Sequence, residues 1–311
     1  MEHNQAMPHM GRDLYLSYVG AETDIIFNKG IDLPGFASYP LLETDKGKEI
    51  LRGYYSNLIE LARKHGVGVI LDSATWVANR DRGAQISQSR QSLERLNIEA
   101  IDIIAQMRKQ YDDVSIILCA QVGPRGDGYA PTDLMTAQEA ENYHSEQIET
   151  LSRSDADFIC GSTICYPEEA IGMVRSARRF GKAIAISFTV ETDGCLPTGI
   201  SLKDAIMAVD EATNAAAIYF MVNCAHPDHF SGVLVDEPWL QRVKGFVANA
   251  SRCSHAELDE AETLDDGDPL ELGVQLAGLR RKFPHISILG GCCGTDMRHM
   301  ENIAEQAQIE V

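Results

Sequence analysis

Eight short apolar, β-branched runs alternate with longer amphipathic stretches, and this alternation limits the possible folds more than any other feature of the chain. The runs lie at 13–18, 67–71, 114–121, 158–161, 183–188, 216–222, 243–248 and 286–289. Helical periodicity marks 46–64, 89–111, 136–152, 168–179, 202–213 and 269–282 between them. Parallel strands need long crossovers, which helices supply, so the alternation predicts a parallel sheet. Eight βα units in order predict an α/β fold of the (β/α)8 TIM-barrel type, with a doubly wound open sheet as the alternative. In a barrel the chemistry belongs on the loops that follow the strands. No linker rich in Pro, Gly or Ser divides the 311 residues. The reading is one barrel domain over 1–311, with 1–10 a flexible N-terminal tail.

Charge excludes one class of partner. Lys and Arg total 27 against 46 Asp and Glu, a formal charge of -19, which repels phosphate-rich ligands and argues against nucleic acid. The longest apolar stretches, such as 215–222, fall far short of the roughly 20 residues that cross a bilayer. Residues 1–10 lack the apolar run of a secretory signal. The expectation is a cytoplasmic protein with small-molecule partners, no membrane association, and homo-oligomerisation left open.

Eight cysteines in such a protein read as thiols, metal ligands or core residues rather than a disulfide framework. Cys119, Cys160 and Cys165 lie in or beside strand-like runs, where a thiol acts as a small buried hydrophobe. Cys195 and Cys253 sit in loop-like sequence without metal-ligand spacing. Cys224 follows the sixth strand, and Gly290-Gly291-Cys292-Cys293-Gly294-Thr295 follows the eighth. In a barrel these three thiols converge on one rim. Three thiolates suit Zn²⁺ with a fourth position open, the pattern of a catalytic rather than a structural site. The glycines permit the backbone geometry by which adjacent thiols reach one ion. A Gly-rich turn with two buried thiols is the plainer reading of the Cys pair alone.

Gly290-Gly291-Cys292-Cys293-Gly294-Thr295 and Val222-Asn223-Cys224 resemble the zinc signatures of the homocysteine S-methyltransferase family, which includes betaine-, S-methylmethionine- and folate-linked enzymes. The similarity extends to Asp32-Leu33-Pro34, Leu71-Asp72-Ser73-Ala74-Thr75-Trp76-Val77-Ala78-Asn79, Val122-Gly123-Pro124-Arg125-Gly126-Asp127-Gly128-Tyr129 and Ser187-Phe188-Thr189-Val190. The resemblance implies a zinc-dependent barrel in which Cys224, Cys292 and Cys293 are the metal ligands and catalytic residues. In that chemistry zinc holds an acceptor thiol as thiolate and aligns it with an activated methyl group. A free aliphatic thiol is mostly protonated at neutral pH, whereas coordination deprotonates it. A suitable donor carries a sulfonium or quaternary ammonium centre, which an aromatic face can hold. Trp76 is the first candidate for that face, or else it packs on the barrel mouth. Asp72 attracts the cation or braces its strand end by hydrogen bonding.

The family usually opens with Asp-Gly-Gly, whose Asp binds the amino group of homocysteine. Here Tyr18-Val19-Gly20 stands in that place, and both Tyr18 and Gly20 are candidate substrate contacts. The family's Glu after the fourth strand, which binds the same amino group, is replaced by Ser162 in Cys160-Gly161-Ser162-Thr163-Ile164. Losing both carboxylates removes charge-assisted contacts to an ammonium and raises the alternative of an acceptor without an amino group. Asn223 either holds the Cys224 loop or contacts substrate. His226, His229 and Asn249 lie nearby on the same rim. Two further alternatives are a folate- or corrinoid-linked donor and a zinc- or thiol-binding protein without turnover. The acidic stretch 257–268 reads as a solvated loop.

Overall fold

The computed structural model describes residues 7–309. Eight parallel strands pair in sequence order and close into a barrel, β1 (Tyr15–Ser17), β2 (Gly68–Asp72), β3 (Ile116–Val122), β4 (Phe158–Ile164), β5 (Ile184–Phe188), β6 (Phe220–Asn223), β7 (Val243–Ala248) and β8 (Ile288–Gly291). Closure is made by β1 against β8, with Leu16 opposite Leu289, which excludes the open sheet. The outer ring comprises α1 (Asp45–His65), α2 (Arg90–Arg108), α3 (Ala137–Ser152), α4 (Pro167–Arg179), α5 (Leu202–Thr213), α6 (Pro269–Lys282) and α7 (Met297–Gln308).

The helices begin and end where their chemistry dictates. Thr44 caps α1 by accepting from the Gly47 amide at 3.0 Å, and Gly66 closes it at φ 63°. Thr136 and Glu139 form a reciprocal capping box on α3. The β6 to β7 connection has no long helix, only the turn Pro227–Phe230 and 3-10 turns at Ser231–Val233 and Pro238–Arg242.

One buried layer lies between sheet and helices, and a second fills the barrel interior with Ile70, Ile117, Phe158, Tyr219 and Ile288 among others. The expected tail over 1–10 needs correction at its end. Pro8–Met10 form a 3-10 turn, and His9 is fully buried beneath the barrel, its ring 5.2 Å from that of Phe158 and its Nε2 3.1 Å from the Tyr219 hydroxyl. An imidazole supplies an aromatic face and a polar atom together, which suits a plug between Phe158 and Tyr219. Residues 1–6 lie outside the described residues.

Candidate active site

Strand register brings the distant thiols together. Asn223 on β6 pairs with Val247 on β7, and Ala248 pairs with Gly291 on β8. The Cys224 amide therefore donates to Val247 O at 3.0 Å and the Cys292 amide to Ala248 O at 2.7 Å, one from each side of β7. Their Cα atoms are 5.4 Å apart. All three sulfurs of Cys224, Cys292 and Cys293 lie within 4.8 Å of one another at the C-terminal mouth. In the structure Cys224 and Cys292 are joined as a disulfide and Cys293 is a free thiol. That differs from the expectation of thiols throughout, for a geometric reason: side chains close enough to share one ion are close enough to bond each other. Burial, helped by the charge of Glu22, pushes the Cys293 thiol up to about 12. The remaining five cysteines are free, with Cys119, Cys160 and Cys165 buried as expected.

Glycine shapes the turn that carries two of the thiols. A Cβ on Gly20 would lie 2.3 Å from Cys292 O, and one on Gly291 would lie 2.3 Å from Thr295 Oγ1. Thr295 Oγ1 donates to Cys292 O at 2.7 Å and accepts from the Gly20 amide at 3.1 Å. Gly20 thus acts by letting the β1 loop close on the Cys292 turn. Tyr18 and Cys224, just past β1 and β6, and Thr163, at the register shift within β4, adopt φ of 53°, 54° and 63°. Such left-handed backbone in non-glycine residues is costly and concentrates at functional sites.

The thiols open into a cleft lined by Tyr18, Gly20, Glu22, Phe36, Asp72, Trp76, Gln121, Tyr129, Ser162, Thr163, Ser187 and Asn223 among others. All six substrate contacts expected from the sequence, Tyr18, Gly20, Asp72, Trp76, Ser162 and Asn223, line it. A polar chain crosses its floor. Ser17 Oγ donates to Asp72 Oδ2 at 2.8 Å, Gln121 Nε2 donates to Asp72 Oδ1, and Ser162 Oγ donates to Gln121 Oε1. Asp72 is therefore a brace with both oxygens engaged. Its burial raises the carboxyl pKa against the opposing effect of Gln121 and Ser17.

Trp76 is fixed by donating from Nε1 to Ser162 O at 3.2 Å. Asn223 does not hold the Cys224 loop. It accepts from the Thr163 amide at 3.0 Å and donates to Thr163 Oγ1 at 2.8 Å, pinning the strained irregularity near the end of β4. The Cys224 turn is held by Asn249, whose Nδ2 donates to Cys224 O at 3.2 Å. His226 is spent on capping Pro227–Phe230, and His229 Nε2 lies 2.9 Å from Arg252 O.

Several residues escaped the sequence reading. Glu22 lies four positions after Tyr18 and receives its hydroxyl. Tyr129 ends the resembling segment 122–129 and packs on His255 with ring centroids 4.1 Å apart. An outer vestibule continues from the cleft past Phe36, Trp76, Tyr129 and Cys293 to Asp127, His255 and Asp259. Leu258, Asp259, Leu264 and Asp265 line it too, so part of the acidic stretch folds over the mouth rather than lying free in solvent.

A family model described as Homocysteine S-methyltransferase matches residues 36–307. The homocysteine methyltransferase MmuM from Escherichia coli in its metallated form is similar in structure, with TM-score 0.70 and 15% identity over 98% of this chain and 99% of that one. Its oxidized form gives TM-score 0.71 and 17% identity over 96% of each chain. A comparison with curated protein sequences found no match. Fold, site and family together define a barrel-type thiol S-methyltransferase. The chain belongs to the homocysteine S-methyltransferase family.

Proposed function

We propose that this protein transfers a methyl group from a small onium donor, a sulfonium of the S-methylmethionine kind or a betaine, to the sulfur of homocysteine or a related thiol, with Zn²⁺ as cofactor. The observation that carries the reading is the convergence of three sulfurs within 4.8 Å at the barrel mouth. The donor set fits zinc: it is soft, anionic when reduced, and three in number, leaving a fourth position for substrate. The three sulfurs lie within 4.8 Å of one another, and reduction of the Cys224–Cys292 bond would free both to share one ion with Cys293. Cys224, Cys292 and Cys293 would hold the ion, with Cys224 and Cys292 in their reduced state, as a reducing cytoplasm would keep them. An ion held there would supply the positive charge that keeps an acceptor thiol deprotonated and nucleophilic.

The chain's own residues select the donor. Glu22 and Asp72 are the acids lining the cleft, and no Lys, Arg or His lines it among the described residues. Trp76, Tyr129 and Phe36 give aromatic faces at the junction of cleft and vestibule, and beyond them Asp127, Asp259 and Asp265 outnumber the vestibule's one Arg, Arg82. That combination attracts a small cation and repels a polyanionic folate. As the methyl group leaves, the bonding pair stays with the donor heteroatom, which becomes neutral while the new carbon–sulfur bond forms.

The test is a grid on reduced, zinc-loaded protein. Donors are S-methylmethionine, S-adenosylmethionine, glycine betaine and dimethylsulfoniopropionate, and acceptors are thiols with and without an amino group. Turnover with an onium donor is expected. Silence across the grid, with methyl transfer from a methylated folate or corrinoid, would overturn the donor assignment.

A further inference from the structure

We propose that Glu22 is the anchor for the acceptor's ammonium group, so that this enzyme selects an aminothiol with a carboxylate moved one helical turn from residue 18. The inference rests on the methyl-transfer reading of the same site. Of the two acids lining the cleft, Asp72 is buried at the floor, enclosed by the polar chain that bonds each of its oxygens, and it is this burial that withholds it from a substrate. The Ser162 hydroxyl is directed at Gln121 Oε1.

Glu22 is different in position. It sits at the rim on the short turn Ala21–Thr23, only partly buried, and lines the same cleft as Cys293. Oε2 receives the Tyr18 hydroxyl, and Oε1 receives the Ser38 hydroxyl at 2.7 Å. An ionised carboxylate offers about four acceptor sites, so two fixed donors orient the group, and its partly exposed position lets it accept a further donor. A carboxylate held by neutral donors, beside the thiol cluster and with no cation lining the same cleft, is preorganised for a substrate ammonium. Tyr18 therefore positions the acid rather than replacing it, and the apparent loss of the amino-binding carboxylates becomes a relocation.

The experiment compares Glu22→Gln with wild type on homocysteine and on 4-mercaptobutanoate, which lacks the amino group, using whichever donor supports turnover. Wild type should prefer homocysteine, and Glu22→Gln should raise the KM for homocysteine by about 10- to 100-fold, the range of a lost charge-assisted bond, while leaving 4-mercaptobutanoate within about 2-fold. Tyr18→Phe should give a smaller change in the same direction. Zinc content and thermal unfolding are measured on each variant. Equal use of both thiols by wild type, or parallel loss of both thiols in Glu22→Gln, would overturn the assignment to Glu22. A wild-type enzyme that methylates neither thiol from any onium donor would instead overturn the proposed reaction.

Discussion

Gly20→Ala tests whether the β1 loop sets the position of the thiol turn. The added Cβ would lie 2.3 Å from Cys292 O and 2.8 Å from Thr295 O. Both are backbone atoms, so no side-chain rotation relieves the contact. Restoring an ordinary carbon–oxygen separation of about 3.3 Å requires the loop and the turn to part by about 1 Å. Strain of this kind in a packed region costs about 1–3 kcal/mol, and a reacting group displaced by about 1 Å loses about 100-fold in rate. Turnover should therefore fall far more than stability does. The assay is kcat alongside zinc retention against a chelator and calorimetric melting. Gly53→Ala is the control, because nothing lies within 4 Å of its Cβ on helix α1. It should stabilise the protein by about 0.5–1 kcal/mol and leave turnover unchanged. A Gly20→Ala enzyme with wild-type zinc retention and kcat would refute the reasoning.

Two other outcomes follow from buried polar groups. Asn223→Ala removes both bonds that pin the left-handed turn at Thr163. It should cost about 1–3 kcal/mol in denaturant unfolding and reduce turnover, whereas loss of turnover without any loss of stability would point to direct substrate contact. His9 is held neutral by burial, its pKa lowered to about 4 from 6.5. The unfolded chain then takes up the proton first, so this group's contribution is intact above pH 6.5 and is lost as pH falls toward 4, by about 3 kcal/mol. His9→Phe should flatten that part of the stability profile, and an unchanged slope in urea titrations would contradict the burial argument.

The barrel was legible because its signal is repeated. Eight strand-like runs were expected, and each matches a strand, with 243–248 coinciding and 216–222 starting four residues before β6 (Phe220–Asn223). Register was not legible, yet it is register that places Cys224 and Cys292 on opposite sides of β7. The thiol cluster could still be anticipated, since strand order alone puts both loops on one rim. The roles of polar side chains could not, because they depend on which neighbour each reaches. Asn223 reaches Thr163 across to β4, and Asn249 takes the role of steadying Cys224. Glu22 was hidden for the same reason: comparing residue 18 with the family's acid registers a loss, while the compensating carboxylate lies four residues on and is visible only once the turn at Ala21–Thr23 is folded.

Methyl transfer as proposed requires Cys224, Cys292 and Cys293 to form one metal site. The most direct measurement is zinc per chain, by elemental analysis, together with turnover in reduced protein carrying Ala at each of the three positions in turn, with Cys195→Ala and Cys253→Ala as controls. About one zinc per chain is expected in wild type and both controls, with loss of retained zinc and of methyl transfer in each of the three variants. Full zinc and full turnover in any one of those three would contradict it.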